Sequence, residues 1–168
     1  MINELSTSHN PRILEIINKA AQVYKGVIPD DRWKKPYMSK EELKKEIEEG
    51  VKFLGYKENT TILGVMGIQH VKDTTLIRHA YITPKHQKKG IGKKILKHLI
   101  TLTNTPEVLV GTWEAATWAI KFYEKQGFLQ VSKKEKNKLL NRYWKIPHRQ
   151  IKTSVVLKFK KKVKKLKK

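Results

Sequence analysis

The apolar positions in the first third of the chain predict two helices. In residues 12–25 the apolar side chains recur at the spacing of one helical face, and Asn10-Pro11 stands where a cap and a first turn are expected. Those apolar residues are Ile13, Ile16, Ile17, Ala20 and Tyr24. Ser39-Lys40-Glu41-Glu42 has the pattern of a capping box, so a second helix is predicted to run to about Glu49, where Gly50 ends it.

The pattern then changes to one that is typical of strands. Two apolar runs rich in β-formers, at 51–57 and 61–71, are separated by Glu58-Asn59-Thr60, and this arrangement predicts a hairpin. A third run, from Thr75 to Thr83, is strand-like and is stopped by Pro84.

The middle of the chain alternates between the two patterns. Helices are predicted at 90–102 and 115–126, and strands at 108–112 and 128–131. Gly127 stands where the left-handed cap residue of the second of these helices is expected. Parallel pairing through helical crossovers is the simplest arrangement for such an order, which predicts an α/β fold with a mixed sheet.

The last part of the chain is polar and basic. A short helix is predicted around 134–142 and a final strand at 151–159. We expect a single domain over 1–157, followed by a lysine-rich tail at 158–168 that is flexible.

The composition of the chain excludes several classes of functional site. The chain has 168 residues, of which 39% are apolar and 31% charged, as in a soluble domain. It has no cysteine, so disulfides, cysteine-bound metals and a thiol nucleophile are excluded. No apolar run approaches the roughly 18 residues of a membrane span, and the start lacks the pattern of a secretory signal. The lack of cysteine fits a reducing cytoplasm, so we expect a cytoplasmic protein. The six histidines show no pair at metal-ligand spacing with a third ligand, so we expect no metal.

The most informative segment is Gln87-Lys88-Lys89-Gly90-Ile91-Gly92-Lys93, between a predicted strand and a predicted helix. Two glycines let the backbone approach a ligand, and the unpaired N–H groups of a helix start favour a phosphate or pyrophosphate. Ile95 stands where the dinucleotide-binding fingerprint needs its third glycine, and the spacing does not fit a P-loop. The alternative is a helix start with a plain glycine turn.

Two motifs resemble one family. The strand end Ala80-Tyr81-Ile82-Thr83-Pro84 followed by Gln87-x-x-Gly90-x-Gly92 resembles the acetyl-CoA signature of the GNAT superfamily of N-acetyltransferases. Residues 119–128, Ala-Ile-Lys-Phe-Tyr-Glu-Lys-Gln-Gly-Phe, resemble that superfamily's Ala-x-x-Phe-Tyr-Glu-Lys-x-Gly-Phe block, and the order of elements over about 10–132 agrees. The resemblance implies a central, splayed, mostly antiparallel sheet flanked by helices. It also implies transfer of an acetyl group from acetyl-CoA to a primary amine, by direct attack in a ternary complex.

The resemblance also implies roles for individual residues. The backbone of Tyr81 and Ile82 would pair with the pantetheine arm, and one N–H there would polarise the thioester carbonyl. Tyr123 would contact the cofactor and protonate the departing thiolate; the alternative is an aromatic side chain packed on the sheet. The cofactor's pyrophosphate would be held by the loop residues Gln87, Lys88, Lys89, Gly90, Ile91, Gly92 and Lys93.

Two points of the mechanism stay open at this stage. The general base is His79, on the face of Tyr81, or Glu114, just past the next strand, or a water chain without a dedicated base. Relatives often carry an asparagine six residues before the Phe of the second block, where this chain has Ala116, so that pantetheine contact is in doubt.

The charge of the chain allows a different class of function. Lys and Arg exceed Asp and Glu by 22, and the eight lysines of 158–168 account for 8 of these, which leaves +14 for the rest. Such a field favours acetyl-CoA and acidic acceptors and disfavours polyamines, and it could bind polyanions such as RNA nonspecifically. No nucleic-acid-binding motif is recognisable. The rival to the enzyme is therefore a noncatalytic acyl-CoA-binding or polyanion-binding module; the oligomeric state is open, dimers being common in such families.

Overall fold

The structure is a computed structural model that describes residues 1–162, so most of the predicted tail lies outside the described residues. Its seven strands form one mostly antiparallel sheet, in the order β1-β2-β3-β4-β5-β7-β6, with helices flanking it. The strands are β1 (Ile2–Glu4), β2 (Lys52–Glu58), β3 (Thr61–Val71), β4 (Thr74–Ile82), β5 (Glu107–Trp113), β6 (Leu129–Gln130) and β7 (Ser154–Lys160). The helices are α1 (Asn10–Ala20), α2 (Lys40–Glu48), α3 (Ile91–Leu102), α4 (Thr117–Lys125), α5 (Lys133–Tyr143) and α6 (His148–Lys152).

The chain divides into two compact units, of which the first comprises Met1–Gln69 and Ile77–Leu102. The predicted cap of α2 is confirmed, because the Ser39 side chain accepts the Glu42 N–H at 3.1 Å. The apolar face of α1 is buried in one core cluster with Leu43 of α2 and with Phe53 and Val65 of the sheet. Each fully buried aliphatic side chain of this kind contributes about 1.5–3 kcal/mol.

The second unit comprises His70–Leu76 and the chain from Thr103 onward. Its sheet is built on β7, which pairs antiparallel with β5 over its whole length and with β6 over two residues. The Ser132 side chain accepts the Glu135 N–H at 3.2 Å and caps α5. Its buried cluster is formed by Leu76, Leu109, Leu140, Ile151 and Val156.

Two expectations about this second unit are wrong. The strand predicted at 151–159 starts only at Ser154, because Pro147 begins α6 and its carbonyl accepts the Ile151 N–H at 3.2 Å. The parallel pairing expected for β5 and β6 is absent, since β7 lies between them. Local patterning favours a neighbour close in sequence, whereas β7 arrives from the far end of the described chain. Lys158 and the two residues after it belong to β7, so the strand extends into the predicted tail.

Candidate functional site

Hydrogen bonds from Thr83 and Gln87 fix the start of the loop after β4. The Thr83 N–H donates to the Leu63 carbonyl at 2.9 Å, and the Thr83 hydroxyl lies 2.7 Å from Nδ1 of His86. The Gln87 side-chain amide donates to the Ile82 carbonyl at 3.1 Å, which folds the loop back on the end of β4. The predicted phosphate-binding segment therefore leaves the strand along a defined path.

Two residues with positive φ turn the chain from this loop into α3. Lys88 has φ 62° and Gly90 has φ 80°, and a Cβ at Gly90 would meet no atom within 4 Å. Glycine is needed there for its backbone conformation, and the space beside it is open. The side chain of Ile91 is buried and anchors the first turn of α3, while Lys88, Lys89 and Lys93 are exposed. Unpaired backbone N–H groups, the helix dipole and three ammonium groups make this turn suitable for an anion.

Tyr81 on β4 belongs to a cluster of three tyrosines. The Tyr24 ring meets the Tyr81 ring edge-on, with centroids 6.4 Å apart, and it lies 5.6 Å from the Tyr37 ring. Burial and the neighbouring Tyr37 raise the pKa of Tyr24 to about 12. Burial and both neighbours raise the pKa of Tyr81 well above 10. The phenols of Tyr24 and Tyr81 are therefore neutral at physiological pH.

His79, the candidate base on β4, is held by its surroundings. Its Nε2 forms a short hydrogen bond with Oε2 of Glu46 on α2, and its ring stacks on Phe53 with centroids 6.1 Å apart. Burial would raise the pKa of the Glu46 carboxyl, but the hydrogen bond from His79 and the charge of Arg78 hold it below its usual value. The backbone of His79 has φ 51°, a conformation that costs about 1–3 kcal/mol and persists only where the surrounding structure imposes it.

Tyr123 lies in the second unit, on α4. Its side chain is buried and meets Phe122 and Phe128 edge-on, with centroids 5.1 and 5.4 Å away. The predicted cap at Gly127 is confirmed by its φ of 93°. The packing fixes the ring, and the role of its hydroxyl stays a prediction.

The other second-unit candidates differ in exposure. Glu114 is exposed, and its N–H donates to the Thr153 carbonyl at 2.8 Å. Ala116 is fully buried just before α4, so a larger side chain at this position would need space that the alanine does not leave.

Sequence reasoning grouped His79, Tyr81, Ile82 and the loop because they are consecutive, and all of them lie in the first unit. It missed Glu46, Phe53, Tyr24 and Tyr37. These residues come from α2, from β2 and from the segment that joins α1 to α2, and no local motif marks them. Only the packing of α1 and α2 on the sheet brings them to β4.

Over residues 1–162, no three His, Asp or Glu side chains are grouped so that they could hold a metal ion. Within the same range, no helix has both the length and the apolar character that a membrane crossing requires.

Residues 18–141 match the family model described as an acetyltransferase (GNAT) domain. Among solved structures, the chain is similar to the PaiA N-acetyltransferase of Thermoplasma acidophilum in complex with coenzyme A. That match has 19% identity and a TM-score of 0.72, and it covers 96% of this chain and 98% of the other. A GNAT-family acetyltransferase of Staphylococcus aureus Mu50 matches at 17% identity and a TM-score of 0.73, covering 95% and 98%. A GNAT-family acetyltransferase of Elizabethkingia anophelis with acetyl-CoA bound matches at 21% identity and a TM-score of 0.66. That match covers 95% of this chain and 97% of the other.

Proposed function

The chain belongs to the GNAT acetyltransferase family, and from this membership we propose that it transfers the acetyl group of acetyl-CoA to a primary amine. The observation that carries the proposal is the turn from β4 into α3, where a left-handed Gly90 opens the backbone beside three exposed lysines. These residues fit a pyrophosphate, because backbone N–H groups and ammonium groups are its preferred partners. Acetyl-CoA supplies an activated thioester.

The residues around the loop bind and orient acetyl-CoA. The backbone N–H groups from Gln87 to Lys93 hold the pyrophosphate, and the backbone of Tyr81 and Ile82 pairs with the pantetheine arm. One backbone N–H of this strand end donates to the thioester carbonyl and stabilises the charge that develops there. Holding both reactants in one complex supplies much of the rate through proximity.

Two side chains move protons. His79 accepts the proton that the acceptor ammonium must lose before its nitrogen can attack. The nitrogen then forms a bond to the acetyl carbon and releases its second proton to solvent as the amide forms. The carbon–sulfur bond breaks, and the sulfur takes the electron pair. Tyr123 donates a proton to that sulfur and regains one from solvent. A phenol suits this step because it is neutral at pH 7 and its ordinary pKa is close to that of a thiol.

The test is release of free CoA in the presence of primary amines. Because the chain has no cysteine, a thiol-reactive chromophore reports CoA alone. The panel contains an alkyl monoamine, an arylalkyl amine, a polyamine, a peptide with a free N-terminus and a peptide with an internal lysine. We expect amine-dependent CoA release and an acetylated product of the matching mass.

Calorimetric titration with acetyl-CoA at two salt concentrations accompanies this assay. Saturable 1:1 binding that survives high salt supports the loop assignment. Binding that disappears with salt, together with no amine-dependent CoA release, would overturn the proposal and favour the polyanion-binding alternative.

A further inference from the structure

A carboxylate–imidazole pair joins α2 to β4. Glu46 accepts a hydrogen bond from Nε2 of His79, and the two side chains are only 21% and 17% exposed. We propose that Glu46 is a positioning residue for His79, holding the imidazole in the tautomer and orientation in which it takes the acceptor's proton. This inference rests on the proposed function and adds to it a residue that no motif marks.

The hydrogen bond decides which ring nitrogen is basic. With Nε2–H directed at the carboxylate, the neutral imidazole carries its lone pair on Nδ1. Nδ1 has no hydrogen-bond partner among residues 1–162, whereas Nε2 is occupied. The proton of the acceptor ammonium therefore goes to Nδ1, and the imidazolium that results is stabilised by the charge of Glu46.

The carboxylate is itself fixed at both oxygens. Oε2 accepts from His79, and Oε1 accepts from Nη2 of Arg78 at 3.3 Å. Nη1 of Arg78 donates to the Gln69 side chain at 2.9 Å, and that side chain donates to the Glu49 carbonyl at 3.1 Å, at the end of α2. A carboxylate held in this way stays ionised and does not rotate away from the imidazole.

The backbone of β4 is irregular at the residue that meets Glu46. Successive strand residues point to opposite faces, yet Arg78 and His79 both reach Glu46. They do so because His79 takes a left-handed conformation that breaks the alternation of β4. Arg78 alone would tie α2 to the strand without this strain. The second contact is made by a strained residue, and strained residues cluster at functional sites.

The groups that set the charge of the pair are few. α2 directs Glu46 at the imidazole and β4 adds Arg78, while Phe53 from β2 and Gln69 from β3 carry no charge. Replacing Glu46 by Gln keeps the shape and an acceptor oxygen but removes the charge that stabilises the imidazolium. Formation of the imidazolium during the reaction then becomes less favourable, so proton transfer from the acceptor ammonium to His79 slows.

The experiment compares E46Q with E48Q, which removes the same charge from an exposed position of the same helix. CoA release is followed with acetyl-CoA and the panel amine that gives the highest rate, from pH 5 to 10. In E46Q we expect kcat to fall by about 10- to 100-fold. We also expect the calorimetric Kd for acetyl-CoA to stay the same. E48Q should behave as the wild type.

A double variant separates positioning from a general loss of structure. H79N removes the base but keeps a residue that tolerates a left-handed backbone. If Glu46 acts through His79, then E46Q/H79N is no slower than H79N alone. If the loss of rate in E46Q/H79N equals the product of the losses in E46Q and in H79N, the proposal is overturned.

The remaining outcomes distinguish the proposal from the function beneath it. E46Q with wild-type kcat and pH profile overturns the role of Glu46 and leaves the transferase intact. Loss of acetyl-CoA affinity and melting temperature in proportion to kcat also overturns it, because that result assigns Glu46 to structure. A wild-type protein that shows no amine-dependent CoA release with any amine of the panel refutes the proposed function itself.

Discussion

Gly64 on β3 and Ile82 on β4 fit so closely that a Cβ at residue 64 would lie 2.5 Å from Cδ1 of Ile82. The same Cβ would approach Ile91 and Ile95 of α3 at 3.2 and 3.3 Å. The absence of a side chain at position 64 thus lets the end of β4 and the first turn of α3 lie close to β3. These are the elements between which the proposed pyrophosphate loop runs.

Gly64→Ala should therefore disturb both stability and binding. Overpacking of this kind costs about 1–3 kcal/mol, and the displaced Ile82 should weaken acetyl-CoA binding. Urea unfolding and calorimetric titration measure the two effects. Ile82→Val deletes the clashing Cδ1, so G64A/I82V should recover part of both losses; a double variant as poor as the sum of the singles would contradict this packing.

Gly90→Ala should weaken acetyl-CoA binding through the backbone, since no atom stands near the new Cβ. A left-handed alanine costs about 1–2 kcal/mol, and a loop that relaxes to avoid this cost loses its N–H geometry. We expect the Kd for acetyl-CoA to rise about tenfold, equivalent to about 1.4 kcal/mol.

Gly26→Ala is the matched control for the loop. Gly26 has φ 76° and equally open surroundings, but it lies outside the loop. The Gly26→Ala variant should lose about as much stability as Gly90→Ala and keep its affinity for acetyl-CoA. Equal loss of affinity in both variants would remove the loop assignment.

Tyr123→Phe should lower kcat by about a hundredfold, the contribution of a positioned acid, while the Kd for acetyl-CoA changes little. Packing against Phe122 and Phe128 is kept, because only the hydroxyl is lost. Tyr143→Phe makes the same change at an exposed hydroxyl that donates to Asp73 at 2.6 Å, and it should leave kcat unaltered. Unchanged turnover in Tyr123→Phe would exclude the acid role.

Acid should destabilise the protein partly through Glu46. Its pKa is lowered in the folded state from a reference value of 4.5, so its contribution to stability is present above pH 4.5 and is lost as the pH falls through the lower folded value. Urea unfolding from pH 7 to pH 3 should show a shallower loss of stability in E46Q than in the wild type. Equal slopes of the free energy of unfolding against pH in E46Q and in the wild type would contradict the lowered pKa of Glu46.

Glu15 offers a contrast in the same measurement. Hydrogen bonds from Lys19 and Arg12 lower the pKa of Glu15 to about 2, but its side chain is 44% exposed. Salt screens exposed pairs more than buried ones. We therefore expect 0.5 M salt to remove most of the difference in pH-dependent stability between E15Q and the wild type. The corresponding difference for E46Q should largely remain.

Local signals predicted most of the elements. The cap at Ser39, the breaker at Pro84 and the left-handed Gly127 each act within a few residues, and the structure confirms the helix and strand ends that they mark. The glycine loop and the family followed from two short motifs for the same reason.

What the sequence did not reveal depends on distant contacts. The left-handed His79 meets a carboxylate 33 residues away, and the edge-on contact of Tyr24 with Tyr81 joins a turn after α1 to β4. The place of β7 depends on which strand pairs with it rather than on its own alternation. Hydrophobic periodicity carries no information about such partners.

The strand order has a consequence for biosynthesis. Since β7 lies between β5 and β6, both strands keep an open hydrogen-bonding edge until residues 154–160 have left the ribosome. The first unit, in contrast, has all its residues once Leu102 has emerged. The nascent chain thus passes through a stage in which one half can fold while the other displays unpaired strands, the condition under which association with other chains competes with folding.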